Sequence, residues 1–345
     1  MGAYPTPYKI AQEEYIMLTK RQNLLETIHG GHPDRFVNQY EAFAMQVGNA
    51  FASHNPGPAP GELNVVNAWG VTRSWPAGTP GAFPVHTGDK IVIKDVEEWQ
   101  KYLKVPQVVY SAQEWEPFIE AAEKVDRTEQ FCTTFIAPGV FEQSHYLMEI
   151  QNCLMAFYEY PDEMHEILDQ ITQFELDLAK EICTYIKPDA LFHHDDWGSQ
   201  QSTFLSPEMF REFIKPCYMK IYKYYKDHGV ELIVHHSDSY AATLVPDMID
   251  MGIDIWQGVM TSNNIPELIK QYGGKISFMG GVDSATIDYP GWKPEDVARE
   301  VDRACRECGK LYFIPGASQG LAMSTFPGVY EETSRQIDLA SKKYF

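Results

Sequence analysis

The sequence predicts an α/β fold, specifically a (β/α)8 TIM barrel with an N-terminal helical arm, on three observations. Strand-like apolar runs alternate with helical patterns through most of the 345 residues, a rhythm that calls for a parallel sheet with right-handed crossovers. Eight such runs can be counted, at 36–40, 63–69, 131–137, 190–194, 231–235, 253–258, 276–279 and 311–314. Polar and ionisable residues gather at the C-terminal ends of those runs, where barrels keep their chemistry. No Gly-x-Gly-x-x-Gly follows the first run and no P-loop occurs, so a nucleotide-binding doubly wound sheet has little support.

Taken in order, residues 1–34 read as an arm and a helix from about 11 to 28, closed by Gly30 and Gly31. Pro and Gly at 56–61 forbid regular structure, and the Pro- and Gly-rich stretch 77–88 reads as an excursion over a cleft mouth. Asp95 caps a helix reaching Tyr102, and 114–124, 142–157 and 162–186 carry helical spacing. Ser206-Pro207-Glu208 is a helix start, with a serine cap, proline in the first turn and an acid beside it. That helix runs to Gly229 and should kink at Pro216. Further helices fall at 244–251, 265–272, 294–309 and 329–343. The expected organisation is one barrel domain over 1–345.

Composition narrows the function. The hydrophobic fraction of 44% and charged fraction of 22% suit a soluble globular protein. A net charge of −20 disfavours nucleic acid and anionic membrane surfaces as partners. No apolar run reaches the roughly 18 residues of a membrane span, and the N-terminus lacks the features of a signal peptide. A cytoplasmic location follows as the expectation. The six cysteines are scattered as reduced thiols would be, and Cys305-x-x-Cys308 fits a packed helix face better than a metal or redox motif.

The strand ends carry Glu41, Asn67, Trp69, Glu142, His145, His193 to Trp197, His235, His236, Asp238, Gln257, Asp283 and Ser318. Singly, each is equally a polar strand end in need of a hydrogen-bond partner. Histidine and aspartate converging at this density on one mouth can bind a metal or move protons. His236-x-Asp238 could place two metal ligands side by side. The aromatic content of 13% suits an apolar, aromatic substrate, although most aromatics serve the core.

Several blocks resemble the uroporphyrinogen decarboxylase superfamily, which includes corrinoid-dependent methyltransferases. They are Pro138-Gly139-Val140-Phe141-Glu142, then His194-Asp195-Asp196-Trp197-Gly198-Ser199-Gln200, then Ser206-Pro207-Glu208-Met209-Phe210. His236-Ser237-Asp238-Ser239, Gly252-Ile253-Asp254, Phe278-Met279-Gly280-Gly281-Val282-Asp283 and Pro315-Gly316 continue the series. The resemblance covers the C-terminal two-thirds and implies a TIM barrel. Uroporphyrinogen decarboxylases carry an Arg-rich N-terminal motif and an aspartate for the pyrrole nitrogens. This chain has Asn38-Gln39-Tyr40-Glu41 at its first strand, and Asn67 as the nearest equivalent of that aspartate. The methyltransferase branch binds zinc through His-x-Cys and a distant Cys; here Asp238 and Ala317 stand at the two thiolate positions. Loss of both soft ligands speaks against thiol methylation.

The resemblance therefore implies a methyltransferase that demethylates a small methoxylated, aromatic substrate and passes the methyl group to the cob(I)alamin of a separate corrinoid protein. His236, Asp196, Glu142 and His194 are the expected catalytic residues. Asn67, Trp69, Trp197, Gln257 and Asp283 are the expected substrate contacts. Zinc or another divalent metal is expected on His236 and Asp238. The expected partners are the corrinoid protein, the small-molecule methyl donor and a second copy in a homodimer. A decarboxylase of a small or tetrapyrrole carboxylate and a non-catalytic binding barrel are the alternatives.

Overall fold

The computed structural model describes residues 17–79 and 81–345. Seven strands form one curled, wholly parallel sheet: β1 Phe43–Gln46, β2 Phe131–Ile136, β3 Ala190–His194, β4 Leu232–His236, β5 Ile255–Val259, β6 Ser277–Val282 and β7 Phe313–Ala317. They lie side by side in chain order, which is the sheet of a TIM-like α/β barrel.

Strand parity divides the core in two. Ala190, Phe192, Leu232, Val234, Ile255, Met279 and Ile314 pack together inside the curl. Their neighbours Leu191, Ile233, Trp256, Phe278 and Phe313 face the surrounding helices. Helix Lys20–Ile28 brings Leu24 and Ile28 into the inner cluster and starts with a capping box of Thr19 and Gln22. The part of the expected first helix before residue 17 lies outside the described residues.

Two expected barrel strands are corrected. Residues 36–38 are irregular and 39–42 turn, with Gln39 at φ 51° and Glu41 N–H donating to the Asn38 carbonyl; the first strand begins only at Phe43. This segment occupies the seam between β7 and β1, where Gln39 approaches Gly316 and its amide donates to Ser334 Oγ at 2.7 Å. The run 63–69 yields only Val65–Val66, because Asn64 sits at φ 59° and Asn67 turns the chain. That piece joins Thr72–Ser74 and Phe83–Pro84 in a separate three-stranded antiparallel sheet. Among the described residues the barrel sheet thus has seven strands, not eight.

The helices differ in detail. Asp95 accepts from Glu97 N–H as a local turn, and only Trp99–Lys101 is helical. The expected helix 142–157 is two, Val140–Met148 and Ile150–Glu159, broken at Glu149 with φ 76°. At Pro216 the ring removes an N–H, and the preceding Phe210–Ile214 widens to a π-helical turn before Lys215–Asp227 continues. Cys305 and Cys308 are buried on the core face of helix Pro294–Cys308, as the spacing implied. No helix among the described residues is long and apolar enough to cross a membrane.

Candidate active site at the ends of β3 and β4

β3 and β4 each end in a histidine pair in register, His193 beside His235 and His194 beside His236. Successive side chains of a strand point to opposite faces, so each pair splits. His193 and His235 face the helix layer. His193 Nε2 lies 3.1 Å from Glu175 Oε2, and His235 Nδ1 lies 2.7 Å from Tyr222 Oη. His194 and His236 face the interior, their rings stacked at 4.2 Å with planes 20° apart. The two imidazoles that can meet a ligand are therefore His194 and His236, and the other two belong to packing.

Both interior histidines are held by an oxygen on Nδ1. His194 Nδ1 donates to Glu142 Oε2 at 2.8 Å, and His236 Nδ1 donates to Gln257 Oε1. A bulge at Gly258, φ 88°, shifts the β5–β6 pairing beside Gln257. A side chain at Gly258 would sit 3.1 Å from the Ser237 and Asp238 backbone. Asp196 completes the group. Its Oδ1 lies 3.8 Å from His236 Nε2 and accepts the Asp238 N–H at 3.0 Å. Ligand-type atoms of His194, Asp196 and His236 all fall within 4.8 Å of one another.

Glu142 owes its position to Asp195. The Asp195 carboxylate is fully buried and accepts Phe141 N–H at 3.0 Å, Glu142 N–H at 2.7 Å, Trp197 Nε1–H at 3.0 Å and the Tyr218 hydroxyl. Tyr218 Oη in turn accepts Val140 N–H at 3.0 Å. The first-turn donors of helix Val140–Met148 are thereby satisfied by Asp195, just beyond β3, and by Tyr218 of helix Lys215–Asp227, and Asp195 supplies the negative charge a helix N-terminus favours. Gly139 makes this approach possible, since a Cβ there would lie 2.5 Å from Asp195 Cβ.

Electrostatics divide the group sharply. Burial opposes charge on His194, but Glu142, with help from Asp196 and Asp238, outweighs it and the imidazole rises to about 10. Burial, then the charge of His194, push His236 down to about 4. Burial and the neighbouring Asp196 raise Asp238 to about 8, and burial raises Glu142 against the pull of His194. Burial also raises Asp195, to about 7, against its four donors. Asp238 lies outside the three-residue group; Asp196 occupies the position beside His236 that the sequence gave to Asp238.

The expected substrate contacts scatter. Gln257 is at the cluster. Trp197 is buried, donating to Asp195 and stacking on His235 at 3.8 Å. Asn67 accepts the N–H groups of Trp69 and Val71 in a turn. Trp69 is buried against Phe174 at 4.7 Å. Asp283 caps the short helix Ser284–Ile287. Sequence reasoning missed Tyr146, whose hydroxyl is 3.5 Å from Glu142 Oε1, and Arg73, whose charge reaches Glu142 and Tyr146.

A metal fits this set on its donor chemistry. Each histidine has Nδ1 occupied by an oxygen acceptor and Nε2 left for ligation, the usual outer support of metal-bound imidazole, and Asp196 adds oxygen. A thiolate site does not fit, because Asp238 and Ala317 offer no sulfur and the six cysteines lie on β2 and on helices.

The comparisons agree with this architecture. The family model described as Uroporphyrinogen decarboxylase (URO-D) matches residues 67–330. The chain belongs to the uroporphyrinogen decarboxylase family. A solved methyltransferase from Methanosarcina mazei superposes with a TM-score of 0.66 at 17% identity, over 95% of this chain and 99% of that one. It shares the fold. A D-psicose 3-epimerase structure, determined in the presence of D-fructose, matches 67% of this chain and 83% of its own. Its TM-score of 0.34 and 12% identity are too low to support an argument. No curated protein matches significantly.

Proposed function

We propose that the chain demethylates a small methoxylated aromatic substrate and passes the methyl group to the cob(I)alamin of a separate corrinoid protein docked over the barrel mouth. The observation that carries this is the nitrogen-and-oxygen cluster His194, Asp196 and His236, with Glu142 and Gln257 behind the two imidazoles. Such a set suits a hard oxygen centre rather than a thiol. The fold shared with a methyltransferase is consistent with the reading, as is a cytoplasmic setting.

His194, His236 and Asp196 would hold zinc or another divalent metal. When bound, it supplies a Lewis acid for the ether oxygen. Glu142 and Gln257 keep both Nε2 atoms turned to the common point. The corrinoid partner would supply the nucleophile that takes the methyl group, and the residues of this chain would stabilise the electron pair left on the oxygen. Asp238, whose carboxyl is pushed above the usual range by burial and by Asp196, would be the group that gives the leaving oxygen its proton. The matching experiment mixes the chain, a reduced corrinoid protein and a panel of methoxyarenes, and follows phenol release. Phenol formation that needs the corrinoid is expected. No phenol from any methoxyarene would sink the proposal, and carbon dioxide released without corrinoid would identify a decarboxylase instead.

A further inference from the structure

We propose that Arg73 anchors a carboxylate on the substrate, so that the site takes methoxylated aromatic carboxylates in preference to neutral methoxyarenes. This deepens the demethylase reading and rests on it for the methoxy group alone.

The sequence has nine arginines. Eight of them lie within 4.0 Å of an acidic partner. Among the described residues, Arg73 has no such partner, although the chain carries 48 acidic residues against 28 lysines and arginines. Arg73 is half-buried on strand Thr72–Ser74, the centre of the small antiparallel sheet. One edge of the guanidinium is tethered, with Nη2 donating to the Ala82 carbonyl at 3.2 Å, while Nε is buried without any partner.

The chain leaving the sheet is strapped to the helix that carries Glu142. His86 Nε2 meets the Tyr146 carbonyl at 3.2 Å, and the N–H groups of Val92 and Ile93 both donate to the Leu147 carbonyl. That strap sets this part of the chain beside the helix of Glu142, and the Arg73 charge bears on Glu142 and Tyr146 while the guanidinium stays more than 4.0 Å from every described carboxylate. A half-desolvated guanidinium without a counter-ion is costly. Its planar fork pairs with a carboxylate through two parallel hydrogen bonds. An anionic substrate needs such a group here, because Glu142, Asp196 and Asp238 crowd the same mouth.

Calorimetry on the full chain without metal or corrinoid tests this, using 4-methoxybenzoate and methoxybenzene as probes. Wild type should bind the carboxylate at least about tenfold tighter, the scale of one charge-assisted pair. Arg73→Met should abolish that difference and leave methoxybenzene binding unchanged, and Arg73→Lys should restore part of it. Equal wild-type affinities, or an equal loss for both probes in Arg73→Met, would overturn the proposal. Should the Met variant melt well below wild type, the Lys variant decides: a loss confined to the carboxylate supports the anchor, and no selective loss refutes it. The readout involves no methyl transfer, so failure of the demethylase reading and failure of the anchor give different results.

Discussion

The chemistry of the cluster turns on which nitrogen of each histidine is free. His194 and His236 both spend Nδ1 on an oxygen, which leaves Nε2 for a ligand beside Asp196. After loading with zinc and desalting, the wild type should retain about one ion per chain by elemental analysis, since structural and catalytic zinc sites take three or four such ligands. His194→Ala and Asp196→Ala should lose the ion, whereas Asp238→Asn should keep it. Retention in Asp196→Ala with loss in Asp238→Asn would return ligation to the His236–Asp238 pair. Gln257→Leu should weaken binding by about ten- to a hundredfold, the usual cost of losing a carboxylate or amide behind a metal-bound histidine. The sequence pointed to Glu142, His194, Asp196 and His236 because their residue types are conspicuous at strand ends. It chose Asp196 over Asp195 but gave Asp195 no role, although Asp195 is the residue that positions Glu142. Asp195 ends up a saturated helix cap, while Asp196 accepts only the Asp238 N–H and turns towards His236, and strand exit geometry alone decides between them. Arg73 carried no signal, since a missing ion pair exists only in three dimensions.

At the level of elements, helix Val140–Met148 is the part whose placement governs the site. Its first turn is bound by Asp195 and Tyr218 from two other elements, and Glu142 leaves that same turn to reach His194. Tyr218→Phe removes a donor to Asp195 and an acceptor for Val140 N–H, both fully buried. We expect a loss of about 1–3 kcal/mol in urea unfolding, the cost of stranding a buried hydrogen-bonding group, together with slower turnover as Glu142 drifts. A change under about 0.5 kcal/mol, the size of an ordinary surface substitution, would show that the helix start is held by packing instead. This turn was half legible. Ser206-Pro207 announced its helix by local chemistry, but Gly139 starts a helix with no capping side chain of its own. Its cap comes from Asp195, more than fifty residues along the chain, and no local pattern can reveal that. Likewise the break at Glu149 leaves apolar spacing intact on both sides, so the pattern reads as one helix.

For the molecule as a whole, the barrel class was readable because β2 to β7 are short buried apolar runs between helices. The first strand was not, because Phe36 and Val37 are as apolar as Phe43 and are buried without being in a strand. What distinguishes them is the turn at Gln39. The whole chain also has a definite pH response before any metal is added. Asp238 rises to about 8 and Asp195 to about 7 in the folded state. Each raised acid costs no stability below its unfolded value near 4, and its penalty grows as pH climbs to the folded value. His194, raised to about 10, contributes stability that is whole below about 6.5 and is lost as pH rises towards 10. The net charge of −20 adds self-repulsion in the same direction. His236 acts oppositely: lowered to about 4, it costs stability as pH falls from about 6.5. Above pH 6.5 every one of these contributions except the finished His236 titration runs the same way, so metal-free protein should melt steadily lower from pH 6.5 towards pH 9. Added salt should recover part of the loss at pH 9 by screening the surface charge. A melting temperature that stays flat or rises between pH 6.5 and 9 would mean that the cluster relaxes to ionise its acids freely, and that the stacked His194–His236 arrangement is not the resting state.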